Sequence, residues 1–135
     1  MSIDENKAIV RRMFDEAFNM GNTSFVNEVV AADYIDHSPI PAPASGAEGF
    51  AKRTDVLRAA FVEEAVFGVF LAEGDLVAFT WTFNGTHKRI FAGIPATGKK
   101  VTLSGINVER LKDGKIVEHW SHFDLAGLIK QISSN

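Results

Sequence analysis

The residues able to do chemistry fall in four places. Near the C-terminus, Glu118, Trp120, His122 and Asp124 alternate, so on a strand they share one face. Val117, His119, Ser121 and Phe123 share the other, and neither set is purely apolar, so the strand alone leaves its inner face open. An aspartate beside apolar side chains has its carboxyl pKa raised by desolvation, which suits a general acid/base near neutral pH. Asp124 fits that role. It equally fits the N-cap of a helix beginning at Leu125-Ala126-Gly127-Leu128.

Upstream, Asp33-Tyr34-Ile35-Asp36-His37 precedes Pro39, Pro41 and Pro43. The prolines stiffen the segment, and His37 is placed either at a cavity mouth or simply in solvent. Asn107, in Gly105-Ile106-Asn107-Val108, is either a buried polar group that needs partners or an outward-facing one. His87 continues the phase of Val77, Phe79, Trp81 and Phe83; it is a hydrogen-bonded rim or core histidine, or a donor facing substrate.

Two other chemistries fail on spacing. Gly93 to Lys100 approaches a phosphate-binding loop, but Lys100 stands where a hydroxyl must hold magnesium, and a strand rather than a helix follows. His119 and His122 lie three apart on a strand and face opposite ways, so they cannot share one ion. No metal site is expected.

The elements that must position these groups follow from periodicity. Ser2 and Glu5 form a capping box ahead of an apolar stripe through Ile9, Val10, Met13, Phe14, Ala17 and Phe18, and Gly21 stops that helix. A short helix is predicted near residues 23–30, and residues 33–44 are read as irregular. A third helix starts at a second box, Ser45 and Glu48, and carries Phe50, Leu57 and Phe61. Beyond residue 63 the period shortens to two. Strands are predicted over 66–72, 76–87, 101–110 and 116–123, with turns at Glu73-Gly74-Asp75 and Lys112-Asp113-Gly114-Lys115, and a short closing helix over 125–132. Helices segregated from hairpin-linked strands define an α+β fold in one domain spanning 1–135, with the helical layer covering one sheet face and leaving a pocket.

Composition agrees. The chain has 135 residues, 46% hydrophobic and 23% charged, enough for a real core. Net charge is −3 and no extended Lys/Arg run occurs, so nucleic acid is not an expected partner. With no cysteine, disulfide scaffolds and thiolate catalysis are excluded. The acidic start, Met1-Ser2-Ile3-Asp4-Glu5, and the lack of a long apolar run point to a cytoplasmic chain that does not enter membranes.

Together, Asp33-Tyr34-Ile35-Asp36-His37, Gly85-Thr86-His87, Phe91-x-Gly93-Ile94-Pro95-x-Thr97-Gly98-Lys99, Asp113 to Trp120 and Asp124-x-x-Gly127-Leu128-x-x-Gln131 resemble the SnoaL-like polyketide cyclases. These form a branch of the nuclear-transport-factor-like superfamily. The resemblance runs over essentially the whole chain. It implies a cone: a strongly curved, mainly antiparallel sheet wrapped by three N-terminal helices around an apolar cavity, with one early strand added, in a homodimer. It implies an apolar carbonyl substrate and intramolecular aldol ring closure without a cofactor. Asp124 matches the family's acid/base and His37 its pocket histidine. Asn107, His87, Trp81, Tyr34, Trp120, His122 and Phe14 are the expected substrate contacts. Where the family often has Asp after its His-Trp pair, this chain has Ser121. Isomerase, dehydratase and epoxide hydrolase activity, and ligand binding without catalysis, remain alternatives on this fold.

Overall fold

A computed structural model describes residues 2–40, 42 and 44–133. Its first helix, α1 (Ile3–Phe14), opens on the expected capping box: Ser2 Oγ accepts from the Glu5 N–H at 3.1 Å, and the Ser2 N–H donates to Glu5 Oε1 at 3.4 Å. The helix widens into a π turn over Asp15–Met20 and stops at Gly21. Within that turn the Asn19 amide donates to Ala65 O and accepts from Ala65 N, both at 2.9 Å. It thereby satisfies backbone groups of a sheet edge and stacks Phe18 on Phe14 with ring centroids 6.0 Å apart.

Helix α2 (Ser24–Val29) runs directly into strand β1 (Val30–His37). The stretch expected to be irregular is therefore a strand in its first half. Its Asp-rich sequence carries little intrinsic strand preference, and long-range pairing supplies the order instead. Pro41 and Pro43 lie outside the described residues. Helix α3 (Gly46–Ala60) follows, without the second capping box: Ser45 makes no side-chain cap, and the Glu48 carboxylate is taken by Lys52 at 2.8 Å.

Strands β2 (Val62–Glu73), β3 (Leu76–Thr86), β4 (Lys100–Lys112) and β5 (Lys115–Phe123) form the antiparallel meander, and α4 (Leu125–Ser133) closes the chain. The sheet order is β1-β5-β4-β3-β2, with β1 parallel to β5. Bulges at 62–64, 67–70 and 110–111 bend and twist the strands, so the open sheet curves around the helices. As expected, Val77, Phe79, Trp81 and Phe83 face inward. Two apolar clusters fill the interior. One is built on α1, α2 and the middle of the sheet, the other on Phe61, Phe83, Leu103, Leu128 and Ile132. Phe18 and Trp81 pack against both, and the cavity lies between the clusters.

Candidate active site

The β4–β5 hairpin decides which side chains reach the cavity. Asp113 and Gly114 turn the chain with φ of +51° and +79°, the tight two-residue turn that suits the twist of paired strands. Pairing begins at Lys112 with Lys115 and Leu111 with Ile116, but Arg110 then meets Glu118. Val117 is the extra residue of a bulge. Without it Glu109 would oppose Glu118, and Asn107 would oppose Trp120. With it, Glu109 opposes His119, Asn107 opposes Ser121, and Gly105 opposes Phe123. The inner face of β5 is therefore His119, Ser121 and Phe123.

Adjacent strands extend these pairs into rows. Asp36 of β1, His119 of β5 and Glu109 of β4 form one. Ser121, Asn107 and Phe79 form the next, and Phe123, Gly105 and Trp81 the third. Gly105 is required in that third row, because a Cβ there would lie 2.5 Å from the Trp81 ring. The gap lets the indole lie across the sheet and donate its Nε1–H to Asn107 Oδ1 at 2.9 Å.

The first row carries the charge. His119 Nδ1 donates to the Glu109 carboxylate, 2.6 Å from Oε1 and 2.9 Å from Oε2. Glu109 is fully buried and His119 is 3% exposed. Burial pushes the Glu109 carboxyl pKa up, and the charge and hydrogen bond of His119 offset only part of that. A carboxylate at Nδ1 holds the proton of the neutral ring on that nitrogen, and in that tautomer Nε2 carries the lone pair. Nε2 has no hydrogen-bond partner among the described residues, and His119 lines the cavity. Phe14 stacks beside the imidazole at 6.5 Å and Phe50 meets it edge-on at 5.1 Å.

At the end of the row, Arg53 of α3 pairs through Nη1 with Asp36 Oδ2 and also donates to Ile40 O at 3.0 Å. Tyr34 donates its hydroxyl to the same Asp36 oxygen at 2.9 Å, and the Ser38 N–H donates to Oδ1 at 2.9 Å. Burial pushes the Asp36 carboxyl up, but the hydrogen bond and charge of Arg53, with the Ser38 N–H, outweigh it and hold the pKa below its ordinary value. Burial, then the hydrogen bond to Asp36, raises the Tyr34 phenol.

Of the residues singled out in the sequence, Phe14, Trp81 and Asn107 line the cavity. Tyr34 stands behind Asp36 as its donor. The others are placed elsewhere, mostly by strand parity. His37 lies on the outer face of β1, exposed, bonded through Nε2 to Glu118 at 2.8 Å and stacked on Trp120. Trp120 and His122 share that outer face. Asp124 is also out of the cavity: it is exposed, and its Oδ1 accepts from the Gly127 N–H at 2.8 Å, the cap of α4. His87 is buried on Phe61 and held by Thr97 through Nδ1, and it does not line the cavity. Arg53, His119 and Ser121, which line the cavity, and Glu109 behind His119 are candidate-site residues that the sequence did not single out. The signal for Glu109 and His119 was a carboxylate and an imidazole equidistant from the Asp113-Gly114 turn once one bulge residue is allowed.

A curved sheet wrapped by helices around an aromatic cavity with a few inward polar groups is a nuclear-transport-factor-like architecture, and a cavity of that kind suits a small molecule. Residues 8–132 match the model of the SnoaL-like polyketide cyclases, and the chain belongs to that family. It is 34% identical over 131 residues to aklanonic acid methyl ester cyclase DnrD of Streptomyces peucetius, covering 92% of this chain and 88% of that protein. It is 29% identical over 119 residues to nogalonic acid methyl ester cyclase of Streptomyces nogalater, covering 86% and 89%. Among solved structures, TsrD of Streptomyces laurentii superposes with a TM-score of 0.85 at 24% identity, over 100% and 99% of the two chains. IdmH of Streptomyces antibioticus gives 0.75 at 30% identity, over 93% and 96%.

Proposed function

We propose that this protein closes a ring in a polyketide-like carbonyl substrate by acid/base catalysis at His119. The observation that carries this reading is the Glu109–His119 couple, which leaves Nε2 as a base without a partner among the described residues, in a cavity lined mainly by aromatic side chains. Other polar groups open to the cavity can donate. Asn107 accepts from Trp81 through Oδ1, which leaves its amide N–H groups for a ligand, and the Ser121 hydroxyl has no protein partner among the described residues. One base surrounded by donors matches a ligand rich in carbonyl oxygens.

The chemistry balances without external electrons. Nε2 takes a proton from a carbon flanked by two carbonyls, and the C–H electron pair moves onto a carbonyl oxygen as an enolate. Glu109 offsets the imidazolium charge, and the Asn107 amide donates to the enolate oxygen. The enolate carbon then bonds to a second carbonyl carbon of the same molecule, and the resulting alkoxide takes the proton back from Nε2. A positioned general base contributes about 10² to 10⁴ in rate, and each donor aimed at developing charge contributes roughly 3 kcal/mol.

The test uses aklanonic acid methyl ester, the compound in the name of the Streptomyces peucetius relative. Ring closure and incorporation of solvent deuterium at the activated carbon are followed together. His119→Gln is expected to slow both by about 10² or more, whereas Asp124→Asn leaves them within about threefold. Full turnover in His119→Gln sinks the reading. A homodimer is part of the same proposal: Val66, Val69, Leu71 and Ile106 are exposed on the outer sheet face, apolar surface of the kind a second copy covers. Sedimentation equilibrium tests it, and a monomer at micromolar concentration rejects it.

A further inference from the structure

Arg53 is built into the cavity wall in an unusual way. Its side chain is 7% exposed, yet it meets its carboxylate through one nitrogen. Among the described residues Nη1 carries both hydrogen bonds of the guanidinium, to Asp36 and to Ile40 O, with the Tyr34 hydroxyl also close by. A guanidinium has five N–H donors in a planar fork and can bind a second oxygen pair along its free edge. Nε and Nη2 make no hydrogen bond to the described residues, and Arg53 lines the cavity.

Asp36 is also poorly matched to neutralising Arg53 alone. Its oxygens take three donors, from Arg53, Tyr34 and Ser38, so its charge is shared. Its strand neighbour on the inner face is His119, which places Arg53 at the end of the row that carries the proposed base. The guanidinium lies 5.2 Å from the centre of the Phe50 ring, which packs steeply inclined against the imidazole, 69° between the ring planes. A flat ligand seated among these aromatic groups would bring one end to the free edge of Arg53.

We propose that Arg53 is an oxyanion-binding residue, so that the ligand presents a negatively charged oxygen at this end of the cavity. The proposal rests on the reading of this cavity as the substrate site. The charge has two sources: a carboxylate that the substrate already carries, or the enolate formed when His119 takes its proton. Arg53 serves either by donating two hydrogen bonds in the plane of the guanidinium.

The experiment uses 2-naphthoate and methyl 2-naphthoate, a charged and a neutral flat ligand of the same shape. Binding is read from the emission of Trp81 in a Trp120→Phe background, where it is the only tryptophan. The charged ligand is expected to bind more tightly. Arg53→Gln should weaken naphthoate by about 10- to 100-fold, the range for a hydrogen bond to a charged group, and the ester by less than about threefold. Arg53→Lys, which keeps the charge but not the fork, should fall between. Asp36→Asn should tighten naphthoate, because it removes the competing carboxylate; a purely structural ion pair predicts the reverse. His119→Gln should keep the preference for naphthoate, so loss of catalysis and loss of anion binding are separate results. In turnover, a resident carboxylate shows as a raised KM in Arg53→Gln and an enolate as a lowered kcat. Equal weakening of both ligands in Arg53→Gln, or looser naphthoate binding in Asp36→Asn, overturns the proposal.

Discussion

Replacing Glu109 by Gln keeps the shape of the side chain and removes its charge, and the structure predicts opposite effects on activity and stability. The carboxylate is fully buried and has one donor among the described residues, His119 Nδ1, for about four lone-pair sites. Desolvation is therefore incompletely repaid, and removing the charge relieves a cost that burial imposes. The charge-assisted hydrogen bond lost is worth about 1.5–3 kcal/mol, and a Gln oxygen still accepts from Nδ1. The raised Glu109 pKa makes the net a gain in stability at neutral pH, read as a higher Tm. The pH dependence fixes the sign. Burial raises the Glu109 pKa above its ordinary 4.5, so the native state holds that proton more tightly than the unfolded chain. The resulting stability is fully present below about 4.5 and is lost as pH rises through the raised folded value. The Gln variant lacks this loss, so its advantage should vanish in acid and grow toward neutrality. Turnover should move the other way. Without the carboxylate the imidazolium is unsupported, and kcat should fall by about 10² to 10⁴, as when the carboxylate of a histidine–aspartate couple is neutralised. Calorimetry at several pH values and steady-state kinetics on the same preparations check both halves. A variant that loses stability and activity together at pH 7 would refute the reasoning, because Glu109 would then be a structural partner.

Asp124→Ala removes the cap of α4 and should cost about 1 kcal/mol in urea unfolding, with turnover unchanged within about twofold well below Tm. His37→Ala loses an exposed contact to Glu118 and a stacking partner for Trp120, so stability should shift by less than about 1 kcal/mol and activity should not change; a hundredfold loss of activity would return His37 to the site. Gly105→Ala forces a methyl group against the Trp81 ring and His122 O, at 2.5 and 2.7 Å. It should destabilise by about 1–3 kcal/mol and shift Trp81 emission, a change absent if the indole does not lie across Gly105.

Much of the fold was legible because it rests on local signals. The Ser2–Glu5 box, the Gly21 stop, the two hairpin turns and the aromatic phase of β3 each follow from a few adjacent residues, and each occurs in the structure. Strand β1 was less visible in its own residues. Asp33 and Asp36 disfavour a strand locally, and parallel pairing with β5, more than 80 residues away, together with the Arg53 contact from α3, holds it. Family resemblance supplied that early strand where periodicity did not. The second capping box failed for a local reason, since Lys52 offers Glu48 a partner one turn along the helix.

The site was harder to read because strand parity is a binary choice that one bulge inverts. From the Asp113-Gly114 turn, regular pairing sets Glu118, Trp120 and His122 opposite the inward residues of β4, and Asp124 continues their phase. That assignment yields an attractive aspartate in the family position. The extra residue, Val117, turns all four outward and brings in His119, Ser121 and Phe123. No composition rule marks Val117 as a bulge. The sequence did hold an indirect sign. With the bulge, a buried Glu109 meets an imidazole; without it, Glu109 meets Glu118, and two carboxylates would face each other in the core. Like charges opposed in a dry interior are far more costly than one bulge. Electrostatics across the hairpin, taken together with periodicity along each strand, therefore selects the register that delivers Glu109 to His119.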